Sequence, residues 1–493
     1  MSRISDLIVE AGHEVTFFHS VFTPEAKSFS PKLAEEYSFL LFDDPKVQSA
    51  FSGELNDMIF EQESGGVLGV PISLYKFVWQ EIGNGCNKLL NSKKDLDELR
   101  KRKFDMVLLH MQDVCAAGIA HLLGIETTAF FSTFFMVEPI PWYIGSPAPA
   151  SFVPTLAIAA TDKMGFFERA ENLAKVTTHY AFDFWHSKRV TRFFRQTHGP
   201  DFPDIDDLLK EVQLTFIFSD PFFDFPRPTL HNVVYVGGLT MESYSAKALD
   251  SQWQKIVDQS LPRGIVLFSL GTVVQTDKMP INIKTSILRA FSRFPEHTFV
   301  CRMEGELPIK PKNVIVVKWM PQRDLLYHQK TQGFITHGGY NSLLEATFVG
   351  VPMLAVPLFY DQISNSKRVE RLKIGVIVQK SRLHQEETFY QALDTILNNQ
   401  SYMENAKRLS QMIQNQPFKS RELFLGWLKF LAKFKNLDSL KPESRNMNLV
   451  QYFMIDVLAF LIGLIVLSLW AALKCVRLLF KVVCGKQKKK KKE

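Results

Sequence analysis

The chain has 493 residues, 46% of them hydrophobic, and a net charge of +7, enough apolar material for two large globular domains. Its last eight residues set six lysines (Lys486 and Lys488 to Lys492) against Glu493 and so carry five of those seven charges; the nearly neutral remainder has no basic stripe of the kind nucleic acid requires. Five scattered cysteines (Cys86, Cys115, Cys301, Cys475 and Cys484) make neither a disulfide framework nor a zinc pattern.

Met1 to Ala11 reads as an amphipathic helix with Ile4, Leu7, Ile8 and Ala11 on one face, ended by Gly12. Glu14 to Ser20 reads as a strand. A helix followed by a strand is the second half of a βαβ unit, so a strand is expected ahead of Met1. Asp6 and Glu10 also break any apolar run that would serve as an export signal. Both features point to an N-terminally truncated chain.

Further strand-like runs lie at Phe104 to His110, Glu126 to Phe131, Leu214 to Asp220 and Val233 to Gly238. The aromatic, proline-rich stretch Phe130 to Pro154 admits two readings, a packed loop or the wall of a hydrophobic pocket. Met241 to Pro262 reads as a connection. Beyond it, strands at 264–270, 298–303, 314–319, 333–337, 352–357 and 375–380 alternate with helices as in a parallel doubly wound sheet.

The class is therefore α/β, with two Rossmann-like domains facing a cleft. Residues 1–240 form the first, 241–434 the second with its closing helices, and 435–451 a linker. Val457 to Leu473, with Tyr452 to Asp456, reaches the ~20 residues of a membrane helix, so 452–473 is read as a single span and 474–493 as a basic cytosolic tail. Lys474, Arg477 and Lys481 just after the span favour that orientation and put the body on the luminal or extracellular side. The sequon Asn399-Gln400-Ser401 is compatible with it.

The densest cluster of chemistry-bearing residues is WMPQRDLLYHQKTQGFITHGGYNSLLEATFVGVPMLAVPLFYDQ, Trp319 to Gln362. A strand, the pair Gly338-Gly339 and a helix opening near Asn341 or Ser342 offer free N–H groups and a positive dipole end to an anion. The spacing matches neither the dinucleotide nor the P-loop fingerprint, which leaves a diphosphate. Local roles stand beside this one: Ser342 and Glu345 fit a capping box, Asp361 a plain N-cap, His337 a structural histidine and Trp319 a core residue.

WMPQ, THGGYNSLLEA, GVPMLAVPLFYDQ, FSLGT (Phe268 to Thr272), VEAGHEVT (Val9 to Thr16) and FDFPRPTLHNVVYVGG (Phe223 to Gly238) resemble the signature of the UDP-glycosyltransferase family, of the membrane-bound animal UDP-glucuronosyltransferase type. The resemblance covers essentially the whole chain. It implies a GT-B fold and an inverting transfer of a hexosyl or glucuronosyl group from UDP-glucuronic acid or UDP-glucose to a small lipophilic hydroxyl acceptor, as in detoxification.

Carried onto this chain, Trp319 stacks on uracil and Gln322 sits near the nucleoside. His337 and the turn Gly339 to Ser342, with Asn341 within it, hold the diphosphate. Glu345 takes the ribose hydroxyls, Asp361 and Gln362 take the sugar hydroxyls, and Ser269 and Thr272 belong to the loop closing over the phosphates. No metal and no further cofactor is implied, since UDP-sugar is itself the co-substrate. Asp204-Ile205-Asp206 matches a metal-binding DxD only superficially, in an acidic loop of the wrong domain.

The resemblance places the base histidine in a loop ahead of the helix that begins at Met1, so it is expected to lie outside this sequence. Its acidic partner is expected where His110 stands, with Asp113 nearby as the candidate and a helix N-cap as its other role. Two readings follow: an enzyme whose sequence lacks its start, or an impaired UDP-sugar-binding membrane protein acting as a homo- or hetero-oligomeric partner or regulator. Lys490 and Lys491 resemble a dilysine retrieval signal of the endoplasmic reticulum.

Overall fold

Ile4 and Leu7 point into the core from the first helix, α1 (Ser2–Glu10), as the apolar face predicts. Gly12, at φ +89°, then turns the chain toward β1 (Thr16–Val21), a backbone angle that favours glycine. The computed structural model describes residues 2–21, 30–41, 59–60, 72–111, 113–156, 158–242 and 248–490. Strand β1 pairs in parallel with β2 (Glu35–Leu40), and the two form a ladder of their own.

The next sheet is parallel and takes its strands in chain order: β3 (Met106–His110), β4 (Thr127–Ser132), β5 (Leu214–Ile217) and β6 (Val233–Tyr235). Around it lie α2 (Ile72–Leu90), α3 (Lys93–Lys101), α4 (Val114–Leu122), α5 (Ile140–Ile144), the 33-residue α6 (Phe166–His198) and α7 (Ile205–Lys210). Most of the aromatic stretch is packed, with Phe130, Phe131, Phe135, Ile140, Tyr143 and Ile144 all fully buried in the core, while its Glu138 and Pro139 line a narrow pocket.

One expectation is corrected here. Cys86 on α2 and Cys115 on α4 form a disulfide, with Cα atoms 5.9 Å apart. Sequence spacing concealed it because the pairing is a tertiary contact between two helices. Cys301 is free and buried.

The second half begins with α8 (Ser251–Asp258), inside the stretch read as a connection. Its sheet contains β7 (Ile265–Ser269), β8 (Thr298–Arg302), β9 (Val314–Val317), β10 (Thr331–Thr336), β11 (Met353–Ala355) and β12 (Gly375–Ile377). The order is β12-β11-β10-β7-β8-β9, all parallel. The order in which strands are added therefore reverses between β7 and β10, the switch point at which open α/β sheets bind ligands beyond the strand C-termini. Helices α9 (Ile281–Ser292), α10 (Gln322–Tyr327), α11 (Tyr340–Val349), α12 (Asp361–Arg371), α13 (Glu386–Asn398), α14 (Gln400–Gln414) and α15 (Ser420–Phe434) complete this half.

The two sheets belong to one compact body, residues 1–440. Helix α15 returns to the first sheet: Ser420 Oγ donates to Gly237 O at 2.6 Å, and Phe424 meets Phe131 and Phe216 edge to face. A second unit, residues 441–493, holds α16 (Leu449–Tyr452) and α17 (Ile455–Lys490). Ile455–Lys481 is an exposed apolar helix of 27 residues, about 40 Å at 1.5 Å per residue and long enough to cross a bilayer.

Candidate functional site

Two loops flank the switch point. Ser269 ends β7 and pairs in register with Thr336, the last residue of β10. After Ser269 the chain turns through Gly271, at φ +79°, to exposed Thr272; Gly271 N donates to Ser269 Oγ at 3.4 Å. After Thr336 come His337, Gly338 at φ +82° and Gly339, which caps α11.

The glycines make room for the imidazole. A Cβ at Gly271 would lie 2.5 Å from His337 Cε1, and one at Gly339 would lie 2.4 Å from His337 Nε2. His337 Nδ1 is buried with no hydrogen-bond partner among the described residues, and burial pushes the imidazole down to about 4, so it is neutral at physiological pH. Gly339 supplies no side-chain cap, so the first N–H groups of α11 are left to a ligand or water, next to the His337 ring that packs on Gly339.

Helix α11 starts at Tyr340, earlier than expected, which makes Ser342 its third residue and removes the Ser342–Glu345 capping box. Both side chains instead meet α10: Gln322 Nε2 donates to Glu345 Oε2 at 2.8 Å and to Ser342 Oγ at 3.3 Å, while Arg323 Nε lies 3.4 Å from Glu345 Oε1. Asn341 is exposed beside them. Trp319, just after β9, is 65% exposed, which excludes the core role and presents a flat aromatic face; Arg302 sits 5.4 Å from its ring centre.

Asp361 is likewise no N-cap. It is the first residue of α12, and the cap is Tyr360, held at φ +54° and ψ −128°, a costly angle for a non-glycine residue. Asn365, which the sequence reading passed over, donates from Nδ2 to both Asp361 Oδ2 (2.7 Å) and Gly338 O (3.0 Å). It thereby ties the carboxylate to the glycine turn; its i, i+4 spacing from Asp361 was the available signal. Burial pushes the Asp361 carboxyl up to about 6. Gln362 Oε1 accepts from Leu358 N and Phe359 N, closing the loop before α12.

Across the body, a narrow pocket with room for about one water lies at the C-terminal end of β3 by Met111 and Val114, with Tyr360 also in its lining. Asp113 stands between the first two and caps α4, accepting from Ala116 N at 3.2 Å. His110, the last residue of β3, lies 3.4 Å from Thr133 Oγ1, and burial pushes it down to about 4. The DxD-like pair is satisfied within the protein. Lys188 Nζ lies 2.5 Å from Asp204 and 3.3 Å from Asp206, and Tyr143 OH donates to Asp206 at 3.1 Å.

The family model described as UDP-glucoronosyl and UDP-glucosyl transferase matches residues 1–490. Mouse UDP-glucuronosyltransferase 1A7 is 30% identical over 482 residues, covering 96% of this chain and 88% of the relative. Mouse UDP-glucuronosyltransferase 1A9 is 32% identical over 391 residues, 79% and 72% of the two chains. Among solved structures, Os79 from O. sativa in complex with U2F and trichothecene superposes with a TM-score of 0.58 at 17% identity, over 88% of this chain and 97% of that one. The glycotransferase of kitacinnamycin matches at 0.58 and 18%, over 87% and 94%. With its paired parallel sheets and the switch-point turn, this GT-B chain belongs to the UDP-glucuronosyl and UDP-glucosyl transferase family.

Proposed function

We propose that this chain transfers a hexosyl or glucuronosyl group from a UDP-sugar to a small lipophilic hydroxyl acceptor by direct, inverting displacement, without a metal. The observation that carries the reading is the turn His337-Gly338-Gly339, where a half-buried imidazole and the uncapped N-terminus of α11 converge at the switch point. Such donors stabilise the charge that grows on departing UDP. Trp319 offers its exposed face to uracil, and Glu345, positioned by Gln322 and Arg323, accepts from the ribose hydroxyls. Asp361 and Gln362 face the sugar, and Ser269 and Thr272 close on the phosphates.

The acceptor approaches from the side of β3 and Tyr360, since Tyr360 directly precedes Asp361. The acceptor's proton passes to a base, the role the resemblance assigns to a histidine, with Asp113 as its nearby carboxylate. The body lies in the lumen of the endoplasmic reticulum, anchored by Ile455–Lys481; the Cys86–Cys115 bridge fits that oxidising compartment.

A second reading, a UDP-sugar-binding partner or regulator, is favoured by His110, a neutral imidazole where the resemblance expects a carboxylate. One experiment separates them. The full chain in detergent is incubated with UDP-glucuronic acid or UDP-glucose and a simple phenol in the presence of EDTA. A β-linked product supports the transferase; an α-linked product, or transfer that EDTA abolishes, contradicts the mechanism. UDP-sugar binding without product supports the second reading.

A further inference from the structure

Helices α13 and α14 meet at a single residue. Asn399 is the C-cap of the first and the N-cap of the second, and its extended backbone (φ −88°, ψ 102°) turns the chain between them. The sequon Asn399-Gln400-Ser401 therefore lies across the junction, with all three residues exposed.

The two adjacent asparagines at this junction use their carboxamides differently. Asn398 is engaged at both ends: Nδ2 donates to Asp394 Oδ1 at 2.7 Å, and Oδ1 accepts from Arg263 Nη1 at 2.9 Å. Asn399 uses its oxygen alone, which accepts from Ser401 N at 3.1 Å, a local turn that asparagine readily makes. Its Nδ2 and the Ser401 hydroxyl have no hydrogen-bond partner among the described residues. The sequon thus presents a free amide nitrogen and a free hydroxyl on the protein surface.

The bond to Arg263 also fixes where this surface lies. Arg263 stands two residues before β7, and its N–H donates to Glu296 O, two residues before β8. The junction is therefore at the N-terminal ends of these strands, whereas Ser269 and the His337 turn lie at the C-terminal ends of β7 and β10. Strand β7 runs five residues between the two edges, about 13 Å at ~3.3 Å per step. A group attached at Asn399 leaves the donor turn open.

We propose that Asn399 carries an N-linked oligosaccharide. Its Nδ2 forms a bond to the anomeric carbon of a sugar chain supplied as a polyisoprenyl diphosphate. The bond from that carbon to the diphosphate oxygen breaks, the lipid diphosphate leaves with the electron pair, and the Nδ2 proton passes to a base of the transferring enzyme. Asn-x-Ser is an acceptor pattern for this transfer. The inference rests on the luminal reading of the body and names a covalent mark that the reading entails.

The full chain, expressed in mammalian cells behind a cleavable export signal, is digested with peptide N-glycosidase F. The expected result is a faster-migrating band in which residue 399 has been converted to aspartate. Asn399→Gln and Ser401→Ala should each migrate as the digested wild type does and be unchanged by the enzyme, while Ser401→Thr, which keeps the hydroxyl, should shift like the wild type. No shift in the wild type, or a shift that persists in Asn399→Gln, would overturn the proposal. If a variant folds poorly, the residue mapped in the wild type alone decides. Because the export signal delivers the body to the lumen whatever its native side, this arm reads the site apart from the luminal reading. Native protein in intact microsomes reads the other: protection of the body from added protease together with the same shift is expected, and digestion of the body would overturn the luminal reading and the native glycan together.

Discussion

Arg368 and Asp224 form an ion pair buried at both ends, with Nη2 and Nε 2.7 and 2.9 Å from Asp224 Oδ1. The guanidinium also lies 3.6 Å from the ring centre of Phe135 and donates to Ser364. The pair joins the FDFPRP segment after β5 to α12, the helix that carries Asp361 and Asn365. Tyr340 OH to Ser219 Oγ, 2.6 Å, makes a second such tie from α11. The donor-side helices are therefore held against the first sheet by fully desolvated contacts.

Removing one partner of a buried pair leaves the other charge stranded, at a cost of about 3–5 kcal/mol. Arg368→Met should accordingly lower the thermal midpoint of the full chain in detergent by about 3–5 °C. Thermal unfolding followed by circular dichroism measures it. A shift under ~1 °C would mean that the pair contributes nothing to holding the two sheets together.

Asp361 sets function against stability. Its folded value of about 6 lies above the ordinary 3.8 because burial penalises the carboxylate. The folded state thus holds this proton more tightly than the unfolded chain, so stability falls as pH rises from 4 through 6, by at most about 3 kcal/mol. Asp361→Asn should therefore be as stable as wild type near pH 4 and more stable at pH 7, while losing sugar transfer and retaining UDP binding. A stability difference that stays flat across this range would contradict the burial argument.

The disulfide clamps α2 to the start of α4, beside the cap at Asp113 and the mouth of the pocket. Closing a loop of 29 residues removes chain entropy from the unfolded state worth about 3–4 kcal/mol. Cys86→Ser with Cys115→Ser, or reduction by dithiothreitol, should lower the unfolding midpoint accordingly. Unchanged stability after verified reduction would show that packing alone holds these helices.

The central strands were legible because a parallel sheet covered on both faces demands continuous apolar runs, as in Ile265–Ser269 and Met353–Ala355. Strand β2, EEYSFL, was not: it is largely half-exposed, and its polar residues carry no such run. The donor turn could be read from its glycines, yet its supporting contacts could not. Asn365, Arg368 and Asp224 act across a chain separation of up to 144 residues, and FDFPRP looked only like a signature. The capping box at Ser342 failed because Gly339 already caps the helix, which starts at Tyr340. On α6, buried Asn172, His179, Asp183 and His186 run against the rule that helices bury apolar faces, and so the His179 and Asp183 side chains beside β3 were passed over.

The central claim is that the His337-Gly338-Gly339 turn holds the diphosphate. Gly339 sits at φ −63°, so alanine there strains no backbone; its methyl would simply occupy space 2.4 Å from His337 Nε2. Calorimetric titration of UDP into the full chain and into Gly339→Ala is the most direct measurement. The account predicts binding by the wild type and at least ~10-fold weaker binding by the variant, with thermal midpoints within ~2 °C of each other. Equal affinity of the two proteins for UDP would contradict it.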